Sequence, residues 1–181
     1  MQFLFVKNLN FWSIKIIKKL FILFFGLIVS TLVCATAIHI SVPDVQQHIY
    51  PNEKMALINV TVSEAVRDKM QDISSVRQAF KADQIFRTAN GDWLVIDEVV
   101  GKHELITYAV GIHKDGSVRQ IEIISFLESY GYQVAEASWR KQFVGKTVNS
   151  PIKLNKDIDN ISGATLSSKQ IADGVKRVMV M

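Results

Sequence analysis

The sequence predicts an α+β domain: a mostly antiparallel sheet in a meander, helices packed on one side of it, and a last helix closing the chain. Three observations carry that reading. Four apolar segments of strand length follow one another between residues 84 and 126. The breaks between them are only a few residues long, so neighbouring strands must run antiparallel. The flanking stretches, Glu53 to about Phe80 and Leu166 to Val180, repeat their apolar residues at helical spacing instead.

A chain of 181 residues suits one domain of roughly 100–150 residues plus an extension. Apolar residues make up 49% of it, with only 9 glycines and 3 prolines, which excludes a disordered, collagen-like or low-complexity protein. Residues 1–37 form the extension. They carry Lys7, Lys15, Lys18 and Lys19 and no acid. Of the 21 Lys+Arg and 17 Asp+Glu overall, the rest of the chain therefore holds 17 of each sign and is neutral. The basic excess belongs to the leader, so no nucleic-acid partner is indicated.

Leu20–Ala37 is an uncharged run of eighteen residues directly behind the Lys18-Lys19 pair. Positive charge ahead of an apolar run directs membrane insertion with the lysines kept in the cytoplasm. Ala35-Thr36-Ala37 and Val33-Cys34-Ala35 both resemble signal-peptidase cleavage sequences. The run is also just long enough to span a bilayer. A cleaved signal and a retained inner-membrane anchor both fit, and either places residues 38–181 outside the cytoplasm, in the periplasm. Cys34 is the one cysteine, so the exported part can form no disulfide within itself, ligate no metal through thiolate and attach no c-type haem.

Residues 38–82 are expected to form a linker, extended at Ser41-Val42-Pro43, and a helical segment. In the latter Val62, Ala65, Val66, Met70 and Ile73 share a face and Ser63 caps the N-terminus. From residue 83 the pattern changes. Gln84–Arg87, Trp93–Val100, Leu105–His113 and Val118–Phe126 read as strands. Asn90-Gly91, Gly101-Lys102 and Lys114-Asp115-Gly116-Ser117 break them, the last being a hairpin signal because Asp-Gly supplies positive φ. Glu128–Gln133 is a polar loop with tyrosines, Ala135–Phe143 a short helix, and Asn149-Ser150-Pro151 the start of another loop. The final helix aligns Leu166, Ile171, Val175, Val178 and Met179 on or near one stripe.

The chemistry is concentrated in Asp157–Ser168, directly ahead of and into that helix. Small residues and hydroxyls at a helix N-terminus meet backbone N–H groups without intrahelical partners, a setting that welcomes a phosphate. Taken alone, Ser, Thr and Asp there most often just cap the helix. Yet Asp159-x-x-Ser162-Gly163-Ala164-Thr165 resembles the D-x-x-S/T-G-A-S/T signature of the FMN-binding domain family. That domain is found in the covalent-FMN subunits of the Na+-translocating NADH:quinone reductase and of Rnf complexes, and in exported single-domain proteins. The resemblance extends to Tyr108-Ala109-Val110-Gly111 with the turn at Asp115-Gly116 and Ile121-Glu122-Ile123. It takes in Glu128-Ser129-Tyr130-Gly131, where the larger complexes carry a sequence closer to E-T-P-G, and then Trp139 and Phe143-Val144-Gly145-Lys146. It covers roughly residues 84–181, and implies an FMN-binding domain over residues 83–181.

The resemblance implies that a flavin transferase, using FAD, links FMN covalently through a phosphoester to Thr165. Ser162, Gly163 and Ala164 are then expected at the phosphate. Asp159 has three open roles: a metal ligand for the transferase, an anchor of the motif loop, or a turn former. Glu128, Ser129, Tyr130 and Gly131 are candidates to border the flavin, with Tyr130 and Tyr132 able to stack, whereas Trp139 reads as core. Lys146 could meet phosphate as a point charge. Gly145-Lys146-Thr147 is not a Walker sequence, because Arg140 stands where a glycine is required.

No histidine spacing suggests a metal site, no G-x-S-x-G suggests a hydrolase, and no catalytic residues are assigned. Asn59-Val60-Thr61 and Asn160-Ile161-Ser162 are formal glycosylation sequons. The expected function is an extracytoplasmic electron-transfer flavoprotein, a carrier more than a self-contained enzyme. Its donor and acceptor would be membrane or periplasmic redox proteins. The alternatives are an exported non-redox ligand- or protein-binding module on the same scaffold, and a subunit of an Rnf-like ion-pumping complex.

Overall fold

Side chains alternate across a strand, so the two faces of a sheet are read from odd and even positions. In Trp93–Val100, Val95 and Val99 are buried on one side and Leu94 and Ile96 on the other. Both faces are therefore covered, which is why the central strands read as apolar runs and not as clean alternation.

The computed structural model describes residues 37–181; the leader up to residue 36, Cys34 included, lies outside the described residues. Six strands, β1 (Ile38–His39), β2 (Met55–Leu57), β3 (Ile85–Thr88), β4 (Trp93–Val100), β5 (Leu105–Ile112) and β6 (Val118–Phe126), form one antiparallel sheet. Their spatial order is β1-β6-β5-β4-β3-β2. The expected meander is β3 to β6. Its edges are closed by two short strands from the preceding segment: β1 pairs with the end of β6, Ile38 opposite Phe126, and β2 pairs with β3, Met55 opposite Thr88. Residues 38–82 thus contribute to the same sheet as residues 83–181.

Helices α1 (Val42–Ile49), α2 (Glu64–Ile73), α3 (Ala137–Arg140) and α4 (Thr165–Val178) complete the domain. On one face lie α2, α4 and the turn-rich segment around α3, with Met70, Trp139, Phe143, Ile171 and Val175 in the main core. The opposite face is covered by α1, through Val45, Ile49 and Tyr50 against Leu94, Ile96, Ala109 and Ile124. This is where the structure departs from the sequence reading. Ser41-Val42-Pro43 is no extended linker: Ser41 caps α1, its Oγ accepting from Asp44 N–H at 3.3 Å, and proline is tolerated in a first turn. The helical pattern of Glu53–Phe80 is realised only at Glu64–Ile73, since Met55–Leu57 find backbone partners on β3. Ser63 caps α2 as expected, accepting from Val66 N–H at 3.4 Å.

Candidate functional site

At the end of β6 the chain leaves the sheet as the loop Leu127–Gly131, and this loop is tied to the turn between β4 and β5. One Glu128 carboxylate oxygen accepts the N–H groups of His103 at 2.8 Å and Glu104 at 3.2 Å. Gly101 makes room for it, because a Cβ there would stand 2.3 Å from that oxygen. Burial pushes the Glu128 carboxyl upward, but the backbone amides of His103, Glu104 and Lys102 outweigh it and hold the group below the usual glutamate range.

The motif loop is pinned from the α3 side. Trp139, buried edge-on against Phe143 with ring centres 5.2 Å apart, donates its indole N–H to Asp159 O at 2.8 Å. Asp159 N–H in turn donates to Gln142 Oε1 at 2.9 Å. Asp159 therefore anchors the loop through its backbone, while its exposed carboxylate makes no hydrogen bond among the described residues. Ser162 and Gly163 form a turn with Gly163 at φ +80°, and Ala164 N–H closes on Ile161 O at 3.0 Å.

Helix α4 then starts with no side-chain cap. Ala164 occupies the cap position, and the first intrahelical bond runs from Ser168 N–H to Ala164 O at 3.0 Å. The amides of Thr165, Leu166 and Ser167 precede it, and such groups suit an anion. Thr165 is the first helical residue, exposed, and its Oγ1 accepts from Asn160 Nδ2 at 3.0 Å. It is not a capping residue.

These two loops meet. A Cβ on Gly131, at φ +92°, would lie 2.2 Å from the Ala164 Cβ, so backbone rests directly on the motif. Beside this contact opens a cleft of about 140 Å3. Glu128, Ser129 and Tyr130 line one wall and Gly163 and Ala164 another. Lys102, His103, Leu166 and Ser167 also border it, and no local pattern marks them, because the β4–β5 turn arrives only through the Glu128 carboxylate. Tyr130 and Leu166 are exposed at its rim, at 76% and 43%. Tyr132, also exposed, starts a 3-10 turn and does not line the cleft.

Lys146 is not brought here. Its carbonyl accepts from Val118 N–H at 2.8 Å and Gly145 N–H donates to Val118 O at 2.7 Å, which places it at the start of β6. The cleft lies past the other end, about 26 Å of strand away at ~3.3 Å per residue. A larger cleft of about 500 Å3, between α2, the 74–80 segment and Arg177, shares no residue with the motif. Among the described residues no helix is long and apolar enough to cross a membrane, and no group of three or more His, Cys, Asp and Glu could hold a metal ion.

The arrangement fits a phosphorylated ring compound. An uncapped helix start and an exposed hydroxyl suit the phosphate, and an aromatic and an aliphatic side chain at an open rim suit a flat ring. Gly163 has nothing within 4 Å of where a Cβ would be, so its backbone is open to close approach. Residues 101–180 match the family model described as FMN-binding domain. No curated protein matches the chain. The match supports a flavin-binding function with FMN as cofactor.

Proposed function

For a chain whose residues 101–180 belong to the FMN-binding domain family, we propose an extracytoplasmic electron carrier holding FMN through a phosphoester to Thr165. The observation that carries this is the state of Thr165. Thr165 is exposed at the head of an uncapped helix, and its neighbours Gly163, Ala164, Leu166 and Ser167 line a cleft shared with the loop that the family resemblance singles out.

The cleft supports a carrier. Pockets that enclose a small molecule usually measure about 300–1,000 Å3. One of about 140 Å3 leaves most of a tricyclic ring uncovered, which weakens non-covalent retention and leaves an edge open to a redox partner. A covalent tether removes the retention problem outside the cell. The amides of Thr165, Leu166 and Ser167 would face the phosphodiester, Ser129 and Tyr130 would border the ring, and Glu128 would hold the wall that presents them. The flavin supplies the electron transfer when bound; the chain supplies position, charge and partial shielding from water.

Maturation by a flavin transferase, export by the leader, and membrane or periplasmic donor and acceptor proteins complete the reading. The rival, a non-redox binding module, needs Thr165 to serve as a helix cap, and its hydroxyl makes no capping bond. The test is to co-produce the full chain with a flavin transferase and run it on a denaturing gel. Yellow fluorescence should survive boiling and vanish in Thr165→Ala. A colourless wild-type band beside a transferase active on another target overturns the proposal.

A further inference from the structure

Asn160 is the one motif-loop side chain whose hydrogen bonding serves the attachment hydroxyl. Its Nδ2 donates to Thr165 Oγ1 at 3.0 Å, while its Oδ1 is buried without a hydrogen-bond partner. A buried carbonyl left unpaired is unfavourable, and folded proteins satisfy nearly all such groups. Turning the amide over would place Oδ1 against the Thr165 hydroxyl but leave the amide nitrogen in the unpaired position, so one end is unsatisfied either way. Stability alone gives no reason for an amide here.

We propose that Asn160 is a positioning residue for flavin attachment, fixing the Thr165 hydroxyl at the head of α4 and then hydrogen-bonding the ester oxygen. This rests on the carrier reading above. The attachment step joins Thr165 Oγ1 to the flavin-side phosphorus of FAD and breaks the pyrophosphate P–O bond. AMP leaves, the hydroxyl proton passes to the transferase or solvent, and no electrons change hands. Before the step Thr165 Oγ1 carries a proton and two lone pairs. Nδ2 occupies one pair, leaving one for phosphorus and the proton free for removal. Afterwards the oxygen has no proton and can only accept, and Nδ2–H still matches it. A carboxylate at this position would suit the hydroxyl but oppose the negatively charged ester. Among side chains of this shape, the amide fits both ends of the reaction.

The experiment compares full-length wild type, Asn160→Ala, Asn160→Asp and Thr165→Ala as substrates of a purified flavin transferase with FAD. Covalent flavin is followed by intact mass and denatured-gel fluorescence, and each protein's urea midpoint is recorded. In Asn160→Ala the kcat of incorporation should fall roughly 10–100-fold, the size of effect expected when a reacting group loses its alignment. The KM for the carrier should change much less, and the urea midpoint should hold or rise. Asn160→Asp should fall at least as far, and being isosteric it carries the comparison if the alanine variant does not fold. Wild-type kcat in both variants overturns the inference while leaving the carrier intact. A wild type that gains no flavin, with the transferase active on another target, overturns the carrier reading and the inference with it.

Discussion

At Gly131 and Gly163 the backbone has nearly the same positive φ, +92° and +80°, but the surroundings differ. A Cβ at Gly163 meets nothing within 4 Å, whereas one at Gly131 runs into Ala164 at 2.2 Å. Gly163→Ala should therefore lose only the left-handed conformation term, ~1–2 kcal/mol. Gly131→Ala should lose that plus an overpacking term of about 1–3 kcal/mol, because the motif loop must shift. Urea unfolding should show both as a lower midpoint at unchanged slope, with Gly131→Ala the worse. Equal midpoints would remove the Gly131–Ala164 contact from the account. Gly163 and Ala164, which line the cleft, were legible because they belong to one contiguous motif with Ser162 and Thr165, which do not line it. Gly131 as a packing partner was not, since its neighbour is distant in sequence. Asn160 occupies a variable position of the motif and has meaning only once its amide is seen against Thr165.

Single elements were legible wherever a strand or helix was long enough to show its period. β4 and β6 fall on the expected residues, Trp93–Val100 and Val118–Phe126, and α4 within two residues of its expected end. β1 and β2, two and three residues long, have no period to show, and α1 hides behind a proline that reads as a linker. The expected helix over Ala135–Phe143 is broken into 3-10 turns around Ala137–Arg140. The β4–β5 turn gives the test at this scale. Its amides are held by Glu128, whose carboxyl burial alone would raise but which the amides keep low. A carboxyl with a depressed folded pKa contributes stability that is fully present above its unfolded value, about 4.3, and is lost as pH falls through the folded one. The His103 and Glu104 amide shifts should then titrate together in NMR spectra, with a midpoint below about 4.3. In Glu128→Gln that titration should disappear. A midpoint at or above the ordinary value, or one unchanged in the variant, would show that the carboxylate does not hold the turn.

Across the whole molecule, one buried pair joins the last helix to the sheet. Arg177 Nη2 and Nε meet Asp97 Oδ1 and Oδ2, each at 2.7 Å, and Tyr108 OH donates to Asp97 Oδ2 at 2.5 Å. Burial first, and then the Asp97 charge, hold the Tyr108 hydroxyl well above its usual pKa, so it stays a donor. Arg177 also reaches Gln78 O at 2.7 Å and Glu98 O at 2.8 Å, tying in the segment that follows α2. None of this was legible: Asp97 and Arg177 sit far apart in the chain, and each alone reads as an ordinary surface charge. Because both are almost fully buried, removing one leaves the other's charge without a counter-ion in a poorly solvated site. Arg177→Met should cost about 3–5 kcal/mol of unfolding free energy, and Asp97→Asn a comparable amount. The double variant should lose much less than the sum, since it leaves no buried charge unpaired. Additive losses in urea unfolding would mean that the two charges act independently. Arg177 lies about 18 Å along α4 from Thr165, at 1.5 Å per residue, so anchoring the helix to the sheet is separable from the flavin attachment proposed for Thr165. Arg177→Met, kept cool enough to remain folded, should still accept flavin at Thr165. If it does not, the anchoring of α4 at its far end also governs the geometry of its first turn, and attachment and stability share one structural unit.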